Sequence, residues 1–356
     1  MYSGSLGPCC YLRLMLAEKS EDRQLLQDAE RAAQETITNS AIKSRSRMTL
    51  LESPTLGALT LLSAIRHSQG DVNSAQATAT DLLERIEACA KNLPDDECEV
   101  LYGRAGAIGC ILFLRHFLSE NFGQNIVVTL ATQVLQRGKA MAASNLHYRL
   151  PLVWSWHGKV YFGAAHGVVG ILQTLLSLSP SDIDLVQSRL KWNVRETLQA
   201  TIDAVDQHCC SSGNLQSSLG SYRDELVHWC HGAPGHALLL VRAYTIFDDP
   251  RYLERARAIA QNVVWRRGLL QKGVGLCHGI SGNAYVFLAL ARVDQEENEW
   301  LAMAHAFATF GLQNLAVLKD IPDRPCSLYE GIAGLACLLI SLADPKQGCF
   351  PCYEFC

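Results

Sequence analysis

A chain of 356 residues, 49% hydrophobic and 19% charged, is long enough to bury a large core and too apolar to remain disordered. Its formal net charge of −4, with both signs interspersed, excludes a general nucleic-acid-binding surface and leaves a local basic pocket open. The longest apolar stretches are broken by Gly, His or a charge well short of the roughly 18 residues of a membrane span, and no basic-then-apolar secretory signal opens the chain.

The elements repeat. "YSGSLGPCCYLRLML" sets a small-residue turn at Gly4 ahead of an apolar helix, and "EDRQLLQDAERAAQETI" follows with apolar residues at spacings of three and four. A degenerate copy, "LESPTLGALTLLSAI" near Ser53, lacks the first glycine and is followed by the amphipathic "NSAQATATDLLERIEACAKNL". Further copies are "GRAGAIGCILFL" at Gly103, "AHGVVGILQTLL" at Gly167, "HGAPGHALLL" at Gly232, "HGISGNAYVFLAL" at Gly279 and "EGIAGLACLLISL" at Gly331. Only "GKVYFGAA" reads as a brief hairpin edge. Seven such units predict an all-α, seven-fold, double-layered α/α toroid over residues 1–356. Inner helices that are apolar nearly all round need the cover of an outer amphipathic layer.

Glycines at each inner N-terminus let backbones approach closely and leave amides pointing to one end, a mouth suited to an anion. The alternative is that Gly-x-x-Gly is only a packing device. Two junctions carry more. Cys230 and the pair Cys277–His278 precede inner helices and should share one end of the ring. Two thiolates and an imidazole make a zinc site that lacks its fourth ligand, the pattern of a catalytic metal; buried thiols beside core histidines are the competing reading. His231 is placed either to replace His278 as ligand or to hydrogen-bond the bound species. His166 occupies the same junction one repeat earlier and is a candidate proton carrier. Glu99 and Arg104 flank Gly103 and are further candidates, each alone readable as a helix-entry charge. The remaining cysteines are expected to be reduced, and the tail "CFPCYEFC" places Cys349, Cys352 and Cys356 close together without a nearby partner cluster for a zinc knuckle.

At "LYGRAG", "YFGAAHGVVGILQ", "ELVHWCHGAPG", "KGVGLCHGISGNAY", "SLYEGIAG" and the ending "FPCYEF", in this order, the chain resembles the LanC-like family, the eukaryotic relatives of bacterial lanthionine cyclases, most of all its third vertebrate branch or an invertebrate equivalent. The resemblance runs through most of the chain. It implies zinc on Cys230, Cys277 and His278, and glutathione as the thiol co-substrate. It also implies addition of that thiol to dehydroalanine or dehydrobutyrine residues of proteins. His166 matches the histidine assigned to protonating the enolate, Glu99 an acidic residue supporting it, and Lys272 a lysine that contacts glutathione. A cytoplasmic location, with peripheral association with the plasma membrane, comes from the resemblance alone.

Two departures stand out. The family usually carries a segment before its first glycine motif, so the first outer helix is expected to be missing and a hydrophobic groove exposed. Before "SLYEG" the family has an arginine, where this chain reads "LKDIPDRPC", with Asp320 near that position and Arg324 shifted. The leading reading is a zinc-dependent thiol transferase in which Lys272 and Arg104 hold carboxylates. A non-catalytic adaptor that binds zinc and glutathione is the alternative. A prenyltransferase-type subunit fits less well, because the ligand motifs contain no Asp.

Overall fold

A computed structural model describes residues 1–20, 22–40, 48–144, 148–294 and 299–355. Helices dominate, and the described residues contain no strand, only isolated bridges. The expected hairpin edge survives as two of these, Trp156 with Lys159 and Tyr161 with Ser218.

The inner layer consists of α1 (Leu12–Ser20, entered through a π-helical turn Gly7–Tyr11), α3 (Pro54–Ser68), α5 (Arg104–Arg115), α7 (Val168–Leu176), α10 (Ala233–Phe247), α13 (Ile280–Val293) and α16 (Ile332–Ala343). These are the seven helices expected from the glycine junctions. The outer layer is α2 (Arg23–Ser40), α4 (Val72–Ala90), α6 (Gln124–Ser144), the pair α8 (Pro180–Leu190) and α9 (Val194–Asp206), α11 (Pro250–Ile259) with its continuation through the short α12 (Trp265–Arg267), and α14 (Glu299–Gln313), followed by the turn α15 (Leu315–Leu318). Among the described residues, six outer positions therefore serve seven inner helices. The ring closes where α16 packs on α1, and there Leu16, Ile332 and Leu339 remain exposed.

Burial follows the two layers. Along α7 every residue from Val168 to Leu176 is buried, whereas the amphipathic α4 buries only Ala75, Thr78, Ala79, Leu82 and Ile86. Outer helices are capped by side chains: Ser179 and Asp182 form a capping box on α8, and Asn193 accepts from Glu196 N on α9. Five inner helices, α5, α7, α10, α13 and α16, instead start on glycine, because their entry turns must fold against the helix they open, whereas α3 starts on Ser53, which accepts from Leu56 N. A Cβ on the second glycine would sit 2.0 Å from Val100 O at Gly106, 2.0 Å from Ala164 O at Gly170 and 1.8 Å from Leu276 O at Gly282. Only a residue without a side chain fits there.

The tail runs back into the lumen. Phe350 and Tyr353 pack on the fully buried Trp229 at 5.3 and 5.1 Å between ring centroids, and Tyr329 donates to Pro351 O. Among the described residues twelve cysteines are free, but Cys349 is disulfide-bonded, which corrects the expectation of uniformly reduced thiols. Cys356 lies outside the described residues, and no helix of the described residues is long and apolar enough to cross a membrane.

Candidate metal centre and its neighbours

The inner-helix junctions deliver the residues before their first glycines to one end of the ring, and the entry to α3, which lacks that glycine, joins them through Leu51 O. The turns are fastened to each other by backbone hydrogen bonds: Cys230 N donates to Cys277 O (3.3 Å), Cys277 N to Tyr329 O (2.7 Å), Tyr329 N to Tyr2 O (3.3 Å) and Tyr2 N to Leu51 O (2.9 Å). Glycine makes this approach possible between turns as well as within them. A Cβ on Gly163 would lie 1.9 Å from Cys230 O, and one on Gly275 2.4 Å from Tyr329 O.

The ladder sets Cys230 beside Cys277 although 46 residues separate them. The ligand atoms of Cys230, Cys277 and His278 all lie within 4.8 Å of one another. Both thiols are buried, and they share charge unequally. The Cys277 thiol donates to Cys230, which holds Cys230 well below the usual thiol range, while burial holds Cys277 well above it. Two buried sulfurs and an imidazole converging in this way form a donor set that a thiophilic divalent cation neutralises, and zinc takes such sets at bond lengths of about 2.0–2.3 Å.

His166 sits across the same cleft. Its Nδ1 is 2.8 Å from Glu99 Oε2, and Glu99 is almost fully buried. The Glu99 carboxylate also accepts the amides of Leu101 and Tyr102, so it has no donor of its own to offer and His166 must donate from Nδ1. Nε2 is thereby left as the nitrogen that exchanges a proton. Trp156 stacks on the imidazole at 3.9 Å between centroids with the planes 2° apart, which holds the ring. His231 lies on the Cys230 side, 5.8 Å from the Tyr161 ring; its Nδ1 is buried without a partner, and burial lowers its pKa.

The cleft encloses about 320 Å³ and is lined by His166, His231, Lys272 and the three candidate ligands, together with Tyr2, Ala165, Leu226 and His228. Seven of the eight expected site residues are thus brought together, six lining the cleft and Glu99 behind His166. Arg104 is not. Its guanidinium is buried and bonded to Leu93 O, Pro94 O, Glu97 O and Gln133 Oε1, so it fastens the turn before α5 and holds no ligand carboxylate. Asp320 and Arg324 are exposed and do not line the cleft.

Two lining residues escaped sequence reasoning. Tyr2 donates its hydroxyl to Cys277 Sγ at 2.6 Å, and His228 stands behind Cys230, to which it hydrogen-bonds. The signal for Tyr2 was in the repeat itself. It lies two residues before Gly4, as Cys230 lies before Gly232 and Cys277 before Gly279.

Comparison with known proteins agrees with this architecture. The chain is 36% identical over 264 residues to the glutathione S-transferase LANCL1 of Danio rerio, covering 74% of this chain and 62% of the relative. It is 35% identical over 263 residues to the LanC-like protein GCL1 of Arabidopsis thaliana, covering 72% and 57%. The chain therefore spans less than two thirds of the length of these two relatives. Nisin cyclase shares the fold at 14% identity, with a TM-score of 0.61 over 96% of this chain and 88% of that one. The family model for lanthionine synthetase C-like proteins matches residues 1–355, and the chain belongs to that family.

Proposed function

We propose that this protein is a zinc-dependent thiol transferase that adds glutathione to dehydroalanine or dehydrobutyrine residues of proteins. The observation that carries it is the joining of two groups in one cleft: the Cys230, Cys277 and His278 donor set, and the His166–Glu99 pair. A zinc ion held by the first group would bind a thiol as thiolate near neutral pH, and its two cysteine ligands would keep that sulfur electron-rich.

The chain's own residues supply the remaining steps. Lys272, exposed at the rim, offers a cation to a glutathione carboxylate. The glutathione sulfur forms a bond to the β-carbon of the dehydroamino acid, and the π electrons move to an enolate on the acyl group. His166 gives the proton from Nε2 to the α-carbon, and Glu99 stabilises the imidazolium before that transfer. The proton lost by the thiol balances the one delivered, so the product is a thioether with no leaving group. The free thiols suit a reducing compartment, and we assign the activity to the cytoplasm.

The test is a dehydroalanine peptide incubated with glutathione and zinc-loaded protein. The peptide should gain the mass of the tripeptide faster than without protein, and Cys277→Ala should lose both the rate and the zinc. Folded, zinc-loaded protein without acceleration would refute the reading. One observation favours the adaptor reading: the cleft lining contains a lysine but no arginine. Saturable glutathione binding without turnover would establish it instead.

A further inference from the structure

A second set of metal-ligating side chains stands apart from the cleft and shares no residue with it. Asp206 ends α9, Cys209 lies in the turn that follows, and His236 is the fourth residue of α10; their ligand atoms all lie within 4.8 Å of one another. Cys209 Sγ is 3.7 Å from Asp206 Oδ1 and 3.8 Å from His236 Nδ1, and His236 Nε2 is 3.8 Å from Asp206 Oδ1. At 3.8 Å the imidazole and the carboxylate are too far apart for a hydrogen bond. Nδ1 faces Cys209 and Nε2 faces Asp206, and one ion takes a single nitrogen of the ring. That nitrogen, the sulfur and a carboxylate oxygen lie within 4.8 Å of one another, so small side-chain rotations bring them to the edges of about 3.3–3.6 Å in a tetrahedron with metal bonds of about 2.0–2.3 Å.

His236 is the group that needs an explanation. It is fully buried, and its Nε2 has no hydrogen-bond partner. Burial drives its pKa down to about 4, so the ring is neutral and offers a lone pair. Native structures seldom bury an imidazole nitrogen without a partner, and an unexplained one points to an ion. The surroundings supply the rest. Arg255 Nε holds Asp206 Oδ1 at 2.7 Å and orients the carboxylate, which keeps a second lone pair and a second oxygen for a cation.

We propose that Asp206, Cys209 and His236 form a second site for one zinc ion, separate from the Cys230 centre and held by three protein donors. One sulfur, one nitrogen and one oxygen donor select zinc over magnesium or calcium, and the half-buried Asp206 leaves a position for a solvent ligand. The site locks the turn after α9. Cys209 is bridged to Leu215, beside Asn214, whose Oδ1 accepts Ala233 N at 2.7 Å and whose Nδ2 donates to Leu226 O at 3.0 Å. An ion on Cys209 therefore braces the segment that enters α10 and carries Cys230.

Zinc per chain, measured by mass spectrometry after dialysis, tests this on the full chain. Wild type should hold one equivalent more than Cys209→Ser or His236→Gln, and the loss should add to that of Cys230→Ala. Cadmium titrated into the Cys230→Ala/Cys277→Ala protein should still give a thiolate-to-metal charge-transfer band, with affinity weakened at least about tenfold by Cys209→Ser. This second measurement decides the matter if a single variant fails to fold. Unchanged zinc in both folded single variants, no cadmium band in the double variant, or a zinc Kd near or above about 1 mM would overturn the site.

Discussion

Replacing Glu99 with Gln changes one atom and separates the support of His166 from the folding of the α5 turn. The native carboxylate satisfies three donors, His166 Nδ1 at 2.8 Å and the amides of Leu101 and Tyr102, and its oxygens are acceptors only. Gln offers one acceptor oxygen and one NH2, so at least one donor must face another donor. A hydrogen bond to a charged group contributes about 1.5–3 kcal/mol, and an unmade buried one costs about 1–3 kcal/mol. If the loss falls on His166, the imidazole loses its fixed tautomer and the imidazolium its counter-charge. The value of kcat/KM for glutathione addition then falls roughly 10- to 100-fold. If the loss falls on a backbone amide, stability drops by about 1–3 kcal/mol and the rate survives. A mass-spectrometric time course, zinc content and thermal melt on the same sample distinguish the two. A Glu99→Gln protein with full zinc, an unchanged melt and unchanged kcat/KM would refute the role given to this pair.

Lys272→Ala removes an exposed cation from the rim and should raise KM for glutathione a few-fold at nearly constant kcat, as expected for about 0.5–1 kcal/mol of screened attraction. Gly282→Ala would drive a Cβ to within 1.8 Å of Leu276 O, displacing the turn that carries Cys277; a loss of about 3 kcal/mol or more, with loss of bound zinc, should show in melts and metal analysis. Gly4→Ala, with nothing within 4 Å of the new atom, is the control and should change neither. Arg104→Leu removes the donor to Leu93 O and Gln133 Oε1, while Pro94 O and Glu97 O keep the amides of Glu97 and residue 104, and should cost about 1–3 kcal/mol in urea unfolding, with little change in kcat per folded molecule. In metal-free protein, His236 falls from 6.5 to about 4 on folding. The unfolded chain binds the extra proton between those values, so this contribution, about 3 kcal/mol, is complete above pH 6.5 and lost as pH falls towards 4. Unfolding titrations of His236→Gln should be flatter than wild type over that window, and equal slopes would count against the assignment.

The layered ring was legible in the sequence because two physical signals recur with it. Apolar runs such as "VVGILQTLL" must be covered on every side, and runs such as "NSAQATATDLLERIEACAKNL" have one face to cover them with. The convergence of Cys230, Cys277 and His278 was legible because the two cysteines occupy the same register at successive junctions, with His278 next to the second. Tyr2 shares that register and was missed, since a tyrosine beside a glycine carries no ligand signature when read alone.

Other features were decided only in three dimensions. Arg104 and Lys272 are both cations near glycine junctions, but one is enclosed by loop carbonyls and the other reaches the cleft, a distinction set by the direction of each side chain. Asp206, Cys209 and His236 meet because α9 and α10 belong to different layers of the ring, and no spacing along the chain records that crossing. Sequence by itself determined the period of the helices and the chemistry delivered to one end. Tertiary structure decided which groups meet, because contact between junctions depends on backbone approaches within the ring and not on distance along the chain.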